Sequence, residues 1–149
     1  MTRVLCFGTF DGFHPGHDAF LRQVAEHGDE VWVVLARDVT VVHVKGQLPA
    51  INEQDRLRTV AAHPVVTHAR LGYPEDKYQI VDEIRPNVIV LGYDQHAFTD
   101  GLAEELSRRG HTVEIRRAKP YQPESYKSSK LRPPVAIVEV AEDEDFFPL

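Results

Sequence analysis

The chain predicts an α/β fold in which a doubly wound parallel sheet of about five strands is flanked by helices. Three observations carry this. Short apolar runs alternate with helical patterns from residue 3 to residue 117. The runs at 30–36 and 87–92 are almost wholly apolar, as strands covered on both faces are. The 149 residues, 42% hydrophobic and 27% charged, suffice for one domain around one sizeable core.

The elements follow in order. "RVLCF" (3–7) reads as a short buried strand. "DAFLRQVAEHG" (18–28) repeats its apolar residues at three and four, a helix for which Gly28 suits the C-terminal stop. "EVWVVLA" (30–36) is the second strand, and residues 37–52 read as a polar connection carrying Lys45, Gly46 and Pro49. Asn52 is a candidate N-cap for a helix over 52–63. "VVTHARL" (65–71) is a weaker strand, and "KYQIVDEIR" (77–85) a helix stopped by Pro86. "NVIVLG" (87–92), "GLAEELSRRG" (101–110) and "TVEIRR" (112–117) give strand, helix and strand. In such sheets ligands bind beyond the carboxyl ends of the strands, near a switch in strand order. The loops 8–17, 37–46 and 92–96 are therefore expected to share one cleft. "RPPVAIVEV" (132–140) opens with two prolines and predicts an extended segment, atypical for this fold, before an acidic end.

The formal charge of −6 argues against a broad basic groove for nucleic acid. Cys6 is the only cysteine, which excludes an intramolecular disulfide and a Cys-based zinc site and leaves it as a core residue. No apolar stretch approaches the length of a membrane span and no signal-peptide pattern opens the chain, so a cytoplasmic protein is expected.

The chemistry concentrates in "GTFDGFHPGH" (8–17). A glycine-rich turn from strand to helix can cradle phosphate, because backbone N–H groups and the helix N-terminus attract anions. This turn lacks the Gly-Lys-Ser/Thr of a Walker loop and the G-x-G-x-x-G spacing of a dinucleotide fingerprint. It adds His14 and His17, which can converge on one phosphate once the chain enters the helix, while Gly16 leaves room for the backbone to approach. Imidazole can donate to charge developing on a phosphoryl oxygen. Metal binding, or plain surface histidines, are the alternatives for such a pair.

"HPGH" within this stretch resembles the H-x-G-H signature of the nucleotidyltransferase superfamily. The resemblance implies a Rossmann-like fold and transfer of a nucleotidyl group from a nucleoside triphosphate with release of pyrophosphate. "YKSSKLR" (126–132) is similar to the superfamily's Ser/Thr-rich motif that opens a C-terminal helix. Ser128 and Ser129 would offer hydroxyls and N–H groups there, and Lys130 and Arg132 charge, toward the β- and γ-phosphates; an ordinary N-cap is the alternative. Between the signatures, "ARDVTV" (36–41), "VKGQLPAINEQDRLRTV" (44–60) and "VLGYDQ" (90–95) resemble the archaeal-type FAD synthetases, adenylyltransferases acting on FMN. The likeness covers about residues 3 to 132 and implies a nucleotidyltransferase domain over 1–132, with 133–149 as a C-terminal extension. Pro133 and Pro134 end the last helix early, and Gly12-Phe13 replaces a more usual aliphatic pair, a change assigned to packing.

The resemblance implies ATP and FMN as substrates, with Mg²⁺ carried mainly by the ATP phosphates and no dedicated set of protein ligands. It implies that His14 and His17 hold the α- and β-phosphates, and that Gly8, Thr9 and Phe10 line the α-phosphate with backbone groups. Lys45 would neutralise the attacking phosphate, unless it is a solvated loop lysine. Asp11 either orients the loop or takes part in holding Mg²⁺; Arg56 reaches the acceptor phosphate or forms a surface ion pair. Gly92 and Asp94 would face the adenine and ribose, with simple turn chemistry as the alternative. Tyr121 and Tyr126 could stack on a flat ring, and the remaining histidines, His63 among them, receive no catalytic role. Cytidylyl transfer to glycerol 3-phosphate is the second enzymatic reading. A non-catalytic nucleotide-binding module is the third, and the intact histidine pair argues against it. The apolar run 135–140 is expected to pack along its own domain or, in a homodimer, across a twofold axis.

Overall fold

The computed structural model describes residues 1–92 and 97–120, with the side chains of 97–100 excepted. Five strands, β1 (Arg3–Gly8), β2 (Glu30–Leu35), β3 (His68–Leu71), β4 (Val88–Leu91) and β5 (Glu114–Arg117), form one all-parallel sheet in the order β3-β2-β1-β4-β5. The order reverses between β1 and β4, and that crevice is where the Rossmann-like fold expected from the sequence places ligands. β1 runs in register with β2 from Arg3 opposite Glu30 to Gly8 opposite Leu35. Both strands therefore end at the same height.

The apolar runs are explained by what covers them. Leu5 and Phe7 face one core with Ile80, Val81 and Ile84 of α4 (Lys77–Ile84) and Leu102 and Leu106 of α5 (Ala97–Arg108). Val4 and Cys6 face the other core, with Phe20, Leu21 and Val24 of α1 (Pro15–Ala25) and Val60 of α3 (Glu53–Ala61). A strand sandwiched this way has no polar face to show. Burying each such side chain contributes about 1.5–3 kcal/mol. Cys6 is buried in that second core, as its setting in the sequence predicts.

Several boundaries differ from the sequence reading: β3 begins at His68, α5 at Ala97 and β5 at Glu114, and three other differences have a local cause. α1 begins at Pro15, not at residue 18, because proline is accepted at the first helical position where no N–H is needed. It ends at Ala25, and Gly28 serves close approach instead of a helix stop: a Cβ there would lie 2.9 Å from the carbonyl oxygen of Thr2. The connection 37–52 is not simply polar coil but contains α2 (Asp38–Lys45), closed by Gly46 at φ 81°. Asn52 caps α3 as expected, its side chain accepting from the Asp55 amide at 2.9 Å. Among the described residues no helix is long and apolar enough to cross a membrane.

Candidate active site at the β1–α1 turn

The turn after β1 is built under strain. Phe10 is 2% exposed and sits at φ 54°, a left-handed conformation that a bulky side chain adopts only when its surroundings impose it. Its ring meets the edge of His17 at 5.2 Å between centroids. Gly12, at φ 68°, takes the next reversal at no steric cost. His14 then forms the N-cap of α1 in extended conformation, and Pro15 and Gly16 make its first two helical positions. The Nδ1 of His17 accepts the His14 amide at 3.3 Å, and the two rings stack at 3.7 Å with planes 12° apart.

Burial decides the protonation of His17. Burial, helped by the neighbouring His14, lowers its pKa to about 3, so the ring is neutral near pH 7. Since Nδ1 accepts a hydrogen bond, the single ring proton resides on Nε2. His17 is thus a neutral N–H donor at a helix N-terminus, where the helix dipole already favours an anion. Thr9 is 4% exposed, and its buried Oγ1 meets no hydrogen-bond partner among the described residues.

One expectation is corrected. Arg56 is neither an acceptor-phosphate ligand nor a surface ion pair: its side chain is fully buried behind the turn. Nη1 donates to the carbonyls of Thr9 (2.9 Å) and Ala36 (2.8 Å), Nε to that of Ile51 (2.9 Å), and Nη2 to Asp38 (2.8 Å). Asp11 takes the loop-orienting role that the sequence offered for it. Its two carboxylate oxygens accept the amides of Ala50 and Ile51, each at 2.8 Å, which fastens the turn to the segment before α3.

Lys45, expected in a loop, is the exposed last residue of α2, where a cation complements the helix C-terminus. Gly8 ends β1 and accepts the Ala36 amide at 3.0 Å. Gly92 follows β4, its carbonyl accepting from Arg117 at 2.9 Å. Asp94, Tyr121, Tyr126, Ser128, Ser129, Arg132 and the extension 133–149 lie outside the described residues.

Sequence reasoning missed two features. One is a cavity of ≈ 380 Å³ beside α2 at the carboxyl ends of β2 and β3, with Val39, Thr40, His43, Tyr73 and Lys77 among its lining residues. Burial lowers the pKa of Lys77. The signal was present: "DVTVVHVK" begins with an acid and ends with Lys-Gly, the charge pattern of a short helix. The other is His63, whose Nε2 lies 2.7 Å from Asp18 and whose ring lies 5.8 Å from Phe13. Among the described residues no group of three or more His, Cys, Asp or Glu side chains could hold a metal ion.

Comparison with known proteins places this geometry. A family model described as cytidylyltransferase-like matches residues 5–133. An FAD synthase of Methanosarcina acetivorans is 46% identical over 115 residues, covering 77% of this chain and 75% of that protein. One of Haloferax volcanii is 45% identical over 120 residues, covering 80% and 83%. Among solved structures, the lipopolysaccharide core biosynthesis protein of Thermoplasma volcanium superposes with a TM-score of 0.78 at 38% identity, over 82% of this chain and 99% of that one. The pantoate-beta-alanine ligase of Francisella tularensis, at 12% identity and TM-score 0.58, shares the fold over 82% of this chain and 61% of that one.

Proposed function

The chain belongs to the cytidylyltransferase-like family, and from that membership we propose that it is an FMN adenylyltransferase, transferring AMP from ATP to FMN to give FAD and pyrophosphate. The observation that carries the reading is the stacked His14–His17 pair at the N-terminus of α1, in a chain over 40% identical to FAD synthases across most of its length. An oxygen of the FMN phosphate attacks the α-phosphorus of ATP. The new P–O bond forms as the bond to the oxygen bridging toward the β-phosphorus breaks, and that oxygen leaves with pyrophosphate. The attacking oxygen is already anionic, so the enzyme need supply no nucleophile and no general base. Its task is positioning and charge stabilisation.

In this reading the His17 Nε2–H and the His14 ring meet the α- and β-phosphates, with the Thr9 hydroxyl and the Thr9 and Phe10 amides beside them. Gly16, lacking a side chain, lets the polyphosphate approach the first turn. The adenosine lies over the switch between β1 and β4, past Gly92 toward Asp94. Ser128, Ser129 and Arg132 take the β- and γ-phosphates, and Lys45 the acceptor phosphate. Mg²⁺ carried by the nucleotide would offset phosphate charge, while the turn's one carboxylate, Asp11, holds the Ala50 and Ile51 amides. The flavin ring suits the cavity beside α2, whose Val39, Val44, Tyr73 and Pro74 lining offers an apolar and aromatic surface far larger than glycerol needs. This favours FMN over glycerol 3-phosphate as acceptor.

The test is turnover with Mg²⁺ and equal ATP and CTP, offered FMN or glycerol 3-phosphate, with pyrophosphate and the nucleotide product both quantified. FAD formed with AMP transfer in clear excess is the expected result. CMP transfer to glycerol 3-phosphate would move the chain to the second reading, and no pyrophosphate with any pair would leave a binding module.

A further inference from the structure

Resting on that reading, we infer that His63 is a positioning residue for the transfer: through Asp18 and the Phe13 ring it fixes the imidazole of His17 in the plane the phosphoryl group meets. His63 follows α3, its amide bonded to the carbonyl of Val60 at 3.0 Å, and its side chain is 7% exposed. Nδ1 accepts the Val65 amide at 3.2 Å, which leaves the ring proton on Nε2, 2.7 Å from the Asp18 carboxylate. Asp18 also receives Arg22 on its exposed side, at 3.1 Å. The Phe13 ring bridges the pair of imidazoles, 5.8 Å from His63 and 5.4 Å from His17.

Asp18 is the residue after His17, so a tie to Asp18 is a tie to the first turn of α1. That turn needs one. It opens with Pro15 and Gly16 and is closed within itself by the His14 amide on the Nδ1 of His17, a bond that does not tie it to the rest of the domain. Helix ends open more readily than helix centres. From just beyond α3, His63 supplies a tie from outside α1: a hydrogen bond to the Asp18 carboxylate and, through Phe13, an aromatic wall against the His17 ring. Phe13 reaches both rings where an aliphatic side chain would offer neither an aromatic contact. Displacing a positioned group by about 1 Å can cost on the order of a hundredfold in rate.

The experiment uses the full chain and two readouts. His63→Phe keeps an aromatic ring against Phe13 and removes both hydrogen bonds. In the free protein near neutral pH, imidazole ¹⁵N spectra of the wild type are expected to show His17 as one tautomer, protonated at Nε2, and those of His63→Phe as an average of two. FAD formation is expected to fall in kcat by about ten- to a hundredfold, with KM for ATP and FMN within about threefold. Asp18→Ala should match it, and Asp18→Asn, which keeps an acceptor oxygen, should recover most of the rate. Should His63→Phe fail to fold, Asp18→Ala and Asp18→Asn read the same tie from its other end. Unchanged His17 signals with kcat within about twofold of wild type in folded variants would overturn the inference. Failure of the functional reading is separate: wild-type protein would make no FAD, while the ¹⁵N comparison would still report on His17.

Discussion

Between pH values of about 3 and 6.5 the unfolded chain binds a proton at residue 17 and the folded chain does not. Stability therefore rises with pH across that interval and is lost on acidification, the reverse of a histidine that gains an acidic partner on folding. Each pH unit below the ordinary value is worth about 1.36 kcal/mol. At about pH 5 the loss relative to pH 8 comes to about 2 kcal/mol from this one ring. The carboxylates of Asp18, Asp82, Glu30 and Glu83, held low by hydrogen bonds and neighbouring cations, act in another window. Their stabilisation is fully present above their ordinary values and fades only as pH falls through the lowered ones, so about pH 5 lies above most of their effect. Urea unfolding of the wild type and of His17→Asn, at about pH 8 and about pH 5, isolates the ring, because the variant subtracts every other titration. The wild type should lose about 2 kcal/mol more than the variant over this interval. Equal losses would mean that folded His17 takes up a proton as readily as the unfolded chain, and the neutral-donor assignment would fall with it.

Three further outcomes follow from other parts of the structure. Arg56→Met should destabilise the protein by about 3–5 kcal/mol, since it strips the Thr9, Ala36 and Ile51 carbonyls and Asp38 of their donor; a denaturation midpoint equal to wild type would deny the buried network its role. Lys45→Ala should raise KM for the acceptor about tenfold with the fold intact, the worth of one charge-assisted contact; unchanged steady-state constants would return Lys45 to a helix-end cation. Deleting residues 133–149 should lower either the mass by light scattering or the melting temperature, according to whether the apolar run 135–140 joins two copies or packs on its own domain. No change in either quantity would refute packing of that segment.

Much of the architecture was legible because strands buried on both faces write themselves as unbroken apolar runs, and 30–36 and 87–92 did so. The convergence of His14 and His17 was legible for a different reason: two imidazoles three residues apart at a strand-to-helix turn fall on one side of the first helical turn. α2 left only the charges at its two ends as a signal, since its β-branched "DVTVVHVK" buries only Val41 and offers no amphipathic stripe to read. Arg56 was misread, and the segment that Asp11 fastens was not foreseen, because their partners lie 18 to 47 residues distant for Arg56, apart from Ile51, and 39 and 40 for Asp11. Local spacing carries no trace of such pairings. His63 shows the same limit. Nothing in "AAHPVV" announces that its ring will stand against α1.

The buried guanidinium of Arg56 has a consequence for how the site opens. Its four bonds gather the end of β2, the turn after β1, the start of α2 and the approach to α3. None of these can peel away alone without stranding a buried cation or a buried carbonyl. Fraying, the usual fate of surface turns, is thereby denied to residues 8–12, which should exchange their amide hydrogens only in openings that also release the first turns of α2 and α3. The β1–α1 turn and the wall of the cavity beside α2 thus belong to one cooperative unit, and a ligand that orders either side finds the other already set.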